Sequence, residues 1–279
     1  MKDSRIEYFD ADLRIGAVLV DASSAATALA GAHLAGPVAS GVLASALAGA
    51  ALLGSEMDLD DETVTWRLDC DGPIGGFLVE CTASGSLRGY TKKKILTDFD
   101  GVCTPKPEEL FGDRGRFETI RSVPGKILAS GSVEVSPVSL SKGLDEYFNK
   151  SLQRMVVTAV AGASGDNPSQ GTLSRALMVE CAPDGDREAF AEIAERFKDG
   201  AIERAIASAA QGPRTILSKI GLRGAEKRRE AALRFECRCS PERAKAVLAA
   251  LQPAERETLP PEIDVTCHMC GRTWTVKTK

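Results

Sequence analysis

The sequence predicts an α+β fold in three parts, and three features predict it. Strand-like alternation recurs between residues 62 and 135. An Ala-rich apolar stretch precedes it. Four cysteines gather near the C-terminus, behind a charged segment with helical spacing. The predicted parts are a large N-terminal α+β domain over 1–182, a helical linker over 183–233 and a small C-terminal domain over 234–279.

The elements follow in order. Residues Ile6 to Val20 can supply an early strand. From Ala22 to Ser55 there is no Asp, Glu, Lys or Arg, and the stretch is mostly Ala, Gly and Ser. Such residues contribute little of the transfer energy that Leu or Phe would, so the stretch reads as two packed core helices broken near Gly36-Pro37 rather than a membrane span. Glu62 to Asp69 alternates as a strand, and Asp71-Gly72-Pro73 marks a turn. Phe77 to Cys81 and Leu87 to Thr91 are strands around Ser84-Gly85, and Phe117 to Ser122 and Lys126 to Val135 continue the pattern. Leu144 to Val160 is predicted as a helix from Leu144, Tyr147, Phe148, Leu152, Met155 and Val156. A loop at Gly165-Asp166-Asn167-Pro168 and a late strand at Leu173 to Cys181 complete the first part.

Residues 187–236 differ in kind, with 19 charged positions in 50 against 27% for the whole chain. Phe190, Ile193, Ala194, Phe197, Ala201, Ile202, Ala205 and Ile206 form one helical stripe, which Gly212-Pro213 ends. Helices with so thin an apolar face need a partner surface to stay folded.

Bulk properties narrow the function classes. A net charge of −4 and 5% aromatic content offer neither a global basic field nor stacking platforms for nucleic acid. Residues 1–14 alternate in charge and lack an apolar core, which argues against a secretory signal and for a cytoplasmic, reducing setting. No nucleophile pair or phosphate loop is apparent. Gly72-Pro73-Ile74-Gly75-Gly76 lacks a following Lys-Ser/Thr and reads as a turn, so no enzymatic activity is expected.

Cys237-Arg238-Cys239 and Cys267-His268-Met269-Cys270 carry the chemistry. Four thiolates suit Zn2+, which closes a structural site with four tetrahedral ligands, so one zinc per chain is expected on Cys237, Cys239, Cys267 and Cys270. The segment is too small to fold on apolar burial alone, which favours a metal staple. Between the pairs, Pro241 to Leu251 reads as a helix capped by Ser240. After them, Thr273 to Lys277 reads as a strand whose Trp274 can cover the site. Four sulfurs complete the ligand set, which leaves His268 on the solvent side. His33 reads as a packed or capping residue, and Cys70, Cys81, Cys103 and Cys181 as small buried hydrophobes.

These residues resemble a known family. Phe235 to Arg243 (FECRCSPER) and Ile263 to Cys270 (IDVTCHMC) are similar to the zinc domain of the heat-shock protein 33 family of redox-regulated holdase chaperones. Asp71-Gly72-Pro73-Ile74-Gly75, Leu87-Arg88-Gly89-Tyr90 and Tyr147-Phe148-Asn149-Lys150-Ser151 resemble that family's core motifs, in the family's order. The chain departs from the pattern at Ser151-Leu152-Gln153 and at Arg175 to Cys181.

The resemblance implies an ATP-independent chaperone, zinc-bound and inactive when reduced. Oxidation would form Cys237–Cys239 and Cys267–Cys270 disulfides and release the zinc. It also implies unfolding client proteins as partners, a homodimer in the oxidised state and hand-off to an ATP-dependent foldase. The stripe at Phe190, Ile193, Phe197, Ile202 and Ile206 is then expected to cover an apolar surface of the first domain, and to bind clients once uncovered. Two alternatives stand beside this reading. One is a zinc ribbon binding nucleic acid through Arg223, Lys227, Arg228, Arg229 and Arg234. The other is a thiol-disulfide oxidoreductase using Cys267 and Cys270.

Overall fold

The computed structural model describes residues 2–101, 105–165, 171–208 and 212–278 of the 279-residue chain. Cys103 and positions 166–168 of the expected loop lie outside the described residues.

The early strand is two strands. β1 (Ser4–Asp10) and β2 (Ile15–Asp21) form an antiparallel hairpin, its turn held by the Asp10 carboxylate accepting the N–H groups of Asp12 and Leu13. The run Ile15 to Val20 is almost continuously apolar because β2 is an inner strand, between β1 and β9 (Thr172–Cys181). β8 (Met155–Ser164) and β10 (Glu226–Ala232) close this first sheet, in the order β10-β1-β2-β9-β8.

The two Ala-rich helices are α1 (Ser23–His33) and α2 (Pro37–Leu53), separated where Pro37 takes the first turn of α2. The span Pro37–Glu56 is long and apolar enough to cross a membrane, yet 78% of its most apolar window is buried inside the protein. It is a core helix. The second sheet contains β3 (Thr63–Cys70), β4 (Gly76–Thr82), β5 (Ser86–Thr91), β6 (Gly115–Val123), β7 (Lys126–Val135) and the short β11 (Arg234–Phe235). Its order is β11-β5-β4-β3-β6-β7. Trp66 of β3 packs between Phe77 and Phe117, with ring centroids at 5.0 and 5.5 Å, and α2 presses on it. Gly49 permits that approach, since a Cβ there would lie 2.3 Å from the Trp66 ring.

The structure corrects two of the helical expectations. Leu144 to Val160 is not one helix. After a one-turn α3 (Pro107–Phe111), α4 (Leu140–Glu146) starts at a Ser139 cap and runs into a π-helical turn at Tyr147–Ser151. Gln153 then takes a positive φ of 55°, and the β-branched run from Val156 becomes β8. The helical reading of 187–236 holds only for α5 (Arg187–Glu195), α6 (Ala201–Ala207) and α7 (Pro213–Ile220). Beyond them, Glu226–Ala232 is an edge strand because β1 offers it an open edge to pair with.

In the C-terminal part, α8 (Pro241–Ala249) begins at Ser240, whose hydroxyl accepts the Arg243 N–H as expected. A short α9 (Pro253–Glu257) follows, then the hairpin β12 (Glu262–Thr266) and β13 (Thr273–Lys277).

Candidate metal centre

The two cysteine pairs come from separate structures that β5 brings together. The Arg234 N–H donates to Gly85 O (2.9 Å) and the Glu236 N–H to Leu87 O (3.2 Å), so β11 lies parallel along β5 and delivers Cys237 and Cys239. The Ser86 hydroxyl donates to the Glu236 carboxylate at 2.5 Å. The second pair sits in the turn between β12 and β13. There the Cys270 and Gly271 N–H groups both donate to Cys267 O, and Gly271 has a φ of 71°.

All four sulfurs lie within 4.8 Å of one another. Cys237 Sγ is 3.8 Å from Cys267 Sγ, and Cys239 Sγ is 3.4 Å from Cys270 Sγ. A tetrahedron with metal–sulfur bonds of about 2.3 Å has edges of about 3.8 Å, so the thiols present fit a four-sulfur metal site. Cys270 is buried and the other three are half-buried.

The thiols' ionisation agrees. Burial works against the charged form at Cys237, Cys267 and Cys270. At Cys237 the Cys239 N–H and the Arg88 guanidinium outweigh it and bring the thiol down to about 7. At Cys267 and Cys270 burial, joined by neighbouring sulfurs, pushes the thiols up. Four thiols packed this closely cannot all ionise alone, and a divalent cation reverses that preference.

The knuckle is seated on the core. The Gly89 N–H of β5 donates to Met269 O at 3.0 Å, and Gly271 lies so close to α1 that a Cβ would be 2.3 Å from Ala32 O. His33 is buried, with Nε2 2.8 Å from Gly89 O, and burial lowers its pKa, so it is a packed residue. His268 is exposed, its ring 6.0 Å from that of Tyr90. Trp274 does not cover the cysteines. It packs with Leu248 and Val276 in a separate small cluster, because its strand alternation turns it toward α8.

The stripe residues Phe190, Ile193, Ile202 and Ile206 are buried and Phe197 is partly buried, all in one cluster with Tyr8, Ile15, Leu19, Leu177 and Val179 of the first sheet. Cys81 and Cys181 are buried and Cys70 half-buried; burial lifts the Cys81 thiol to about 11. The basic cluster is largely paired: Lys227 with Glu230 (2.6 Å), Arg234 with Glu236 (2.7 Å), and Arg228 over the Phe9 ring. Cys267 and Cys270 lie in a hairpin turn, not at the start of a helix. The long-range contacts of Arg88, Gly89 and His33 were not assigned from the sequence. The Leu87-Arg88-Gly89-Tyr90 motif was the only signal pointing to them.

Fold and site define a class: an α+β core carrying a small domain with a four-cysteine centre that could hold a metal ion. The Hsp33 protein family profile matches residues 3–277, and the chain belongs to that family. A Thermus thermophilus protein named 33 kDa chaperonin is 26% identical over 76% of this chain and 66% of its own length. The chain thus spans just under two thirds of that relative. A 33 kDa chaperonin of Gloeobacter violaceus is 27% identical over 99% of this chain and 93% of its own. The crystal structure of the Thermotoga maritima 33 kDa chaperonin superposes with a TM-score of 0.82 at 20% identity, covering 100% of this chain and 96% of that one.

Proposed function

We propose that this chain is a redox-regulated, ATP-independent holdase that binds unfolding proteins under oxidative stress. The observation that carries the reading is the cluster of four cysteine sulfurs seated on β5, at the end of a linker whose apolar stripe covers the first sheet. Cys237, Cys239, Cys267 and Cys270 would hold one zinc. When bound, zinc supplies a closed four-sulfur anchor and favours the thiolate form.

The chain's own residues do the rest. Oxidation joins Cys237 to Cys239 and Cys267 to Cys270. Each thiolate pair gives two electrons to a peroxide-type oxidant; an S–S bond forms as the O–O bond breaks, and with two protons from solvent the peroxide becomes two waters, or an alcohol and a water. Disulfide sulfurs are no longer thiolate ligands, so the ligand set is lost. Without it β11 and the knuckle lose their common seat on β5, and the stretch from α5 to β10 loses the folded neighbour at its C-terminal end. Phe190, Ile193, Phe197, Ile202 and Ile206, and the sheet beneath them, then become available to unfolded chains. The dense charge of the linker keeps the opened state soluble. The setting is cytoplasmic, and the expected partners are unfolded clients, a second copy in the oxidised state and an ATP-dependent foldase that receives the client.

Light scattering of a heat- or denaturant-unfolded client, with reduced zinc-loaded and peroxide-oxidised protein side by side, tests the reading. Suppression only by the oxidised form is expected. An oxidised protein that has lost its zinc yet leaves aggregation unchanged would falsify the chaperone proposal. Peptide mapping of the same sample separates neighbouring disulfides from crossed ones, which the 3.8 and 3.4 Å contacts Cys237–Cys267 and Cys239–Cys270 also allow.

A further inference from the structure

β5 reaches both halves of the ligand set through three consecutive residues. Leu87 O accepts the Glu236 N–H beside Cys237, and the Gly89 N–H donates to Met269 O inside the knuckle. Between them, Arg88 faces Glu80 across the β4–β5 ladder. Arg88 Nε and Nη2 both donate to Glu80 Oε2, at 2.7 and 2.5 Å, and Nη1 lies 3.8 Å from Cys237 Sγ. Both side chains are about four-fifths buried, at 20% and 18% exposure. The guanidinium is planar and permanently charged, so pinning two of its nitrogens on Glu80 fixes where the third points. It points at the sulfur. Four thiolates around a divalent ion leave two negative charges, and Arg88 brings a positive charge to them from outside the metal domain.

We propose that Arg88 is a positioning residue of the metal centre: held by Glu80, it donates to the Cys237 thiolate and slows departure of the metal from the reduced protein. This rests on the four-sulfur reading of the site and adds a residue 149 positions away from its ligand. Outer-shell hydrogen bonds of this kind orient ligands and damp their exchange. All four cysteines stay in place without Arg88, so its removal alters retention and spectrum and leaves stoichiometry at one.

The test uses the full reduced chain, loaded with Zn2+ for kinetics and with Co2+ for spectroscopy. Arg88→Met is made alone and in a Glu80→Gln background, the double variant leaving no unpaired carboxylate. Transfer of zinc to a chromophoric chelator is expected to quicken about tenfold in both. The sulfur-to-cobalt charge-transfer band is expected to move to lower energy, because the thiolate has lost a donor. Arg88→Lys, which keeps the charge, is expected to recover part of the retention. A general loss of packing would quicken release without moving the cobalt band, and that result counts against the proposal. Release within twofold of wild type together with an unmoved band overturns it. Wild-type protein that takes up no cobalt or zinc overturns the metal reading itself, and this inference with it.

Discussion

The core and the C-terminal domain are held by different means. Around α2 the core buries Trp66, Phe77, Phe117, Phe148 and a series of leucines almost completely. The C-terminal domain's own cluster, among the described residues, has three buried members: Ala244, Leu248 and Val276. Its cysteines pack instead against the large core. One region is closed by apolar contacts from two sheets and two helices, and the other by four sulfurs and a seat on β5. A structure built this way can lose one part and keep the other, which a switch requires.

Removing the metal that the proposed four-sulfur site would hold is the harshest way to break that contrast and carries the largest expected effect. Structural zinc contributes an apparent ~10–16 kcal/mol to the folding of small domains. Chelation of reduced protein is expected to abolish hydrogen-exchange protection over 237–277 and to weaken it over 187–220. Thr63–Cys70 and Gly76–Thr82 should stay protected. Loss of protection in β3 and β4 at the same rate would show one cooperative unit and end the comparison.

A pair of glycine substitutions sharpens the core side of it. Helix propensity alone favours Gly→Ala by about 1 kcal/mol. At Gly31 in α1 an added Cβ meets nothing within 4 Å, so Gly31→Ala should stabilise by up to about that amount. At Gly49 in α2 the Cβ would lie 2.3 Å from the Trp66 ring, which is itself packed on both sides. Overpacking costs about 1–3 kcal/mol and should win there. Urea unfolding of both variants checks the opposite signs. Stabilisation by Gly49→Ala would mean that the space around Trp66 is slack.

Much of this contrast was legible in the sequence. The cysteine spacing pointed to the four-cysteine cluster, the charge-free Ala-rich run to α2, and Ser240-Pro241 to the start of α8. β8 was not legible, because Leu144, Tyr147 and Phe148 do follow helical spacing and Val156 extends the pattern past the point where Gln153 reverses the chain. β10 was not, because Glu226–Ala232 has no apolar alternation and is a strand only through its pairing with β1. Arg88 was visible as part of a motif but not as a neighbour of Cys237. Local spacing carries no information about a contact 149 residues away.

An effect visible only against pH lies where α4 and α6 meet. Asp145 of α4 is half-buried beside Thr158 of β8, with Glu146 of its own helix and Glu203 of α6 nearby. Burial pushes its carboxyl up to about 7, with the two glutamates adding to the rise and the Thr158 donors opposing it. Glu203 is raised by burial as well, and one oxygen of each carboxyl is buried without a partner. An unfolded Asp titrates near 3.9, so between about pH 4 and 7 the folded protein holds a proton that the unfolded chain has released. That contribution to stability is complete below about pH 4 and is lost as pH rises through about 7. Asp145→Asn cannot ionise and loses nothing over that window. The stability difference, variant minus wild type, should therefore move in favour of Asn between pH 5 and pH 8, with the pH dependence of all other groups cancelling between the two proteins. Urea unfolding of both at pH 5, 6, 7 and 8 measures it. A flat difference would mean that Asp145 stays ionised in the fold. A rising one would mean that Asp145 of α4 is held protonated beside Glu203 of α6, where the stretch proposed to open meets the core.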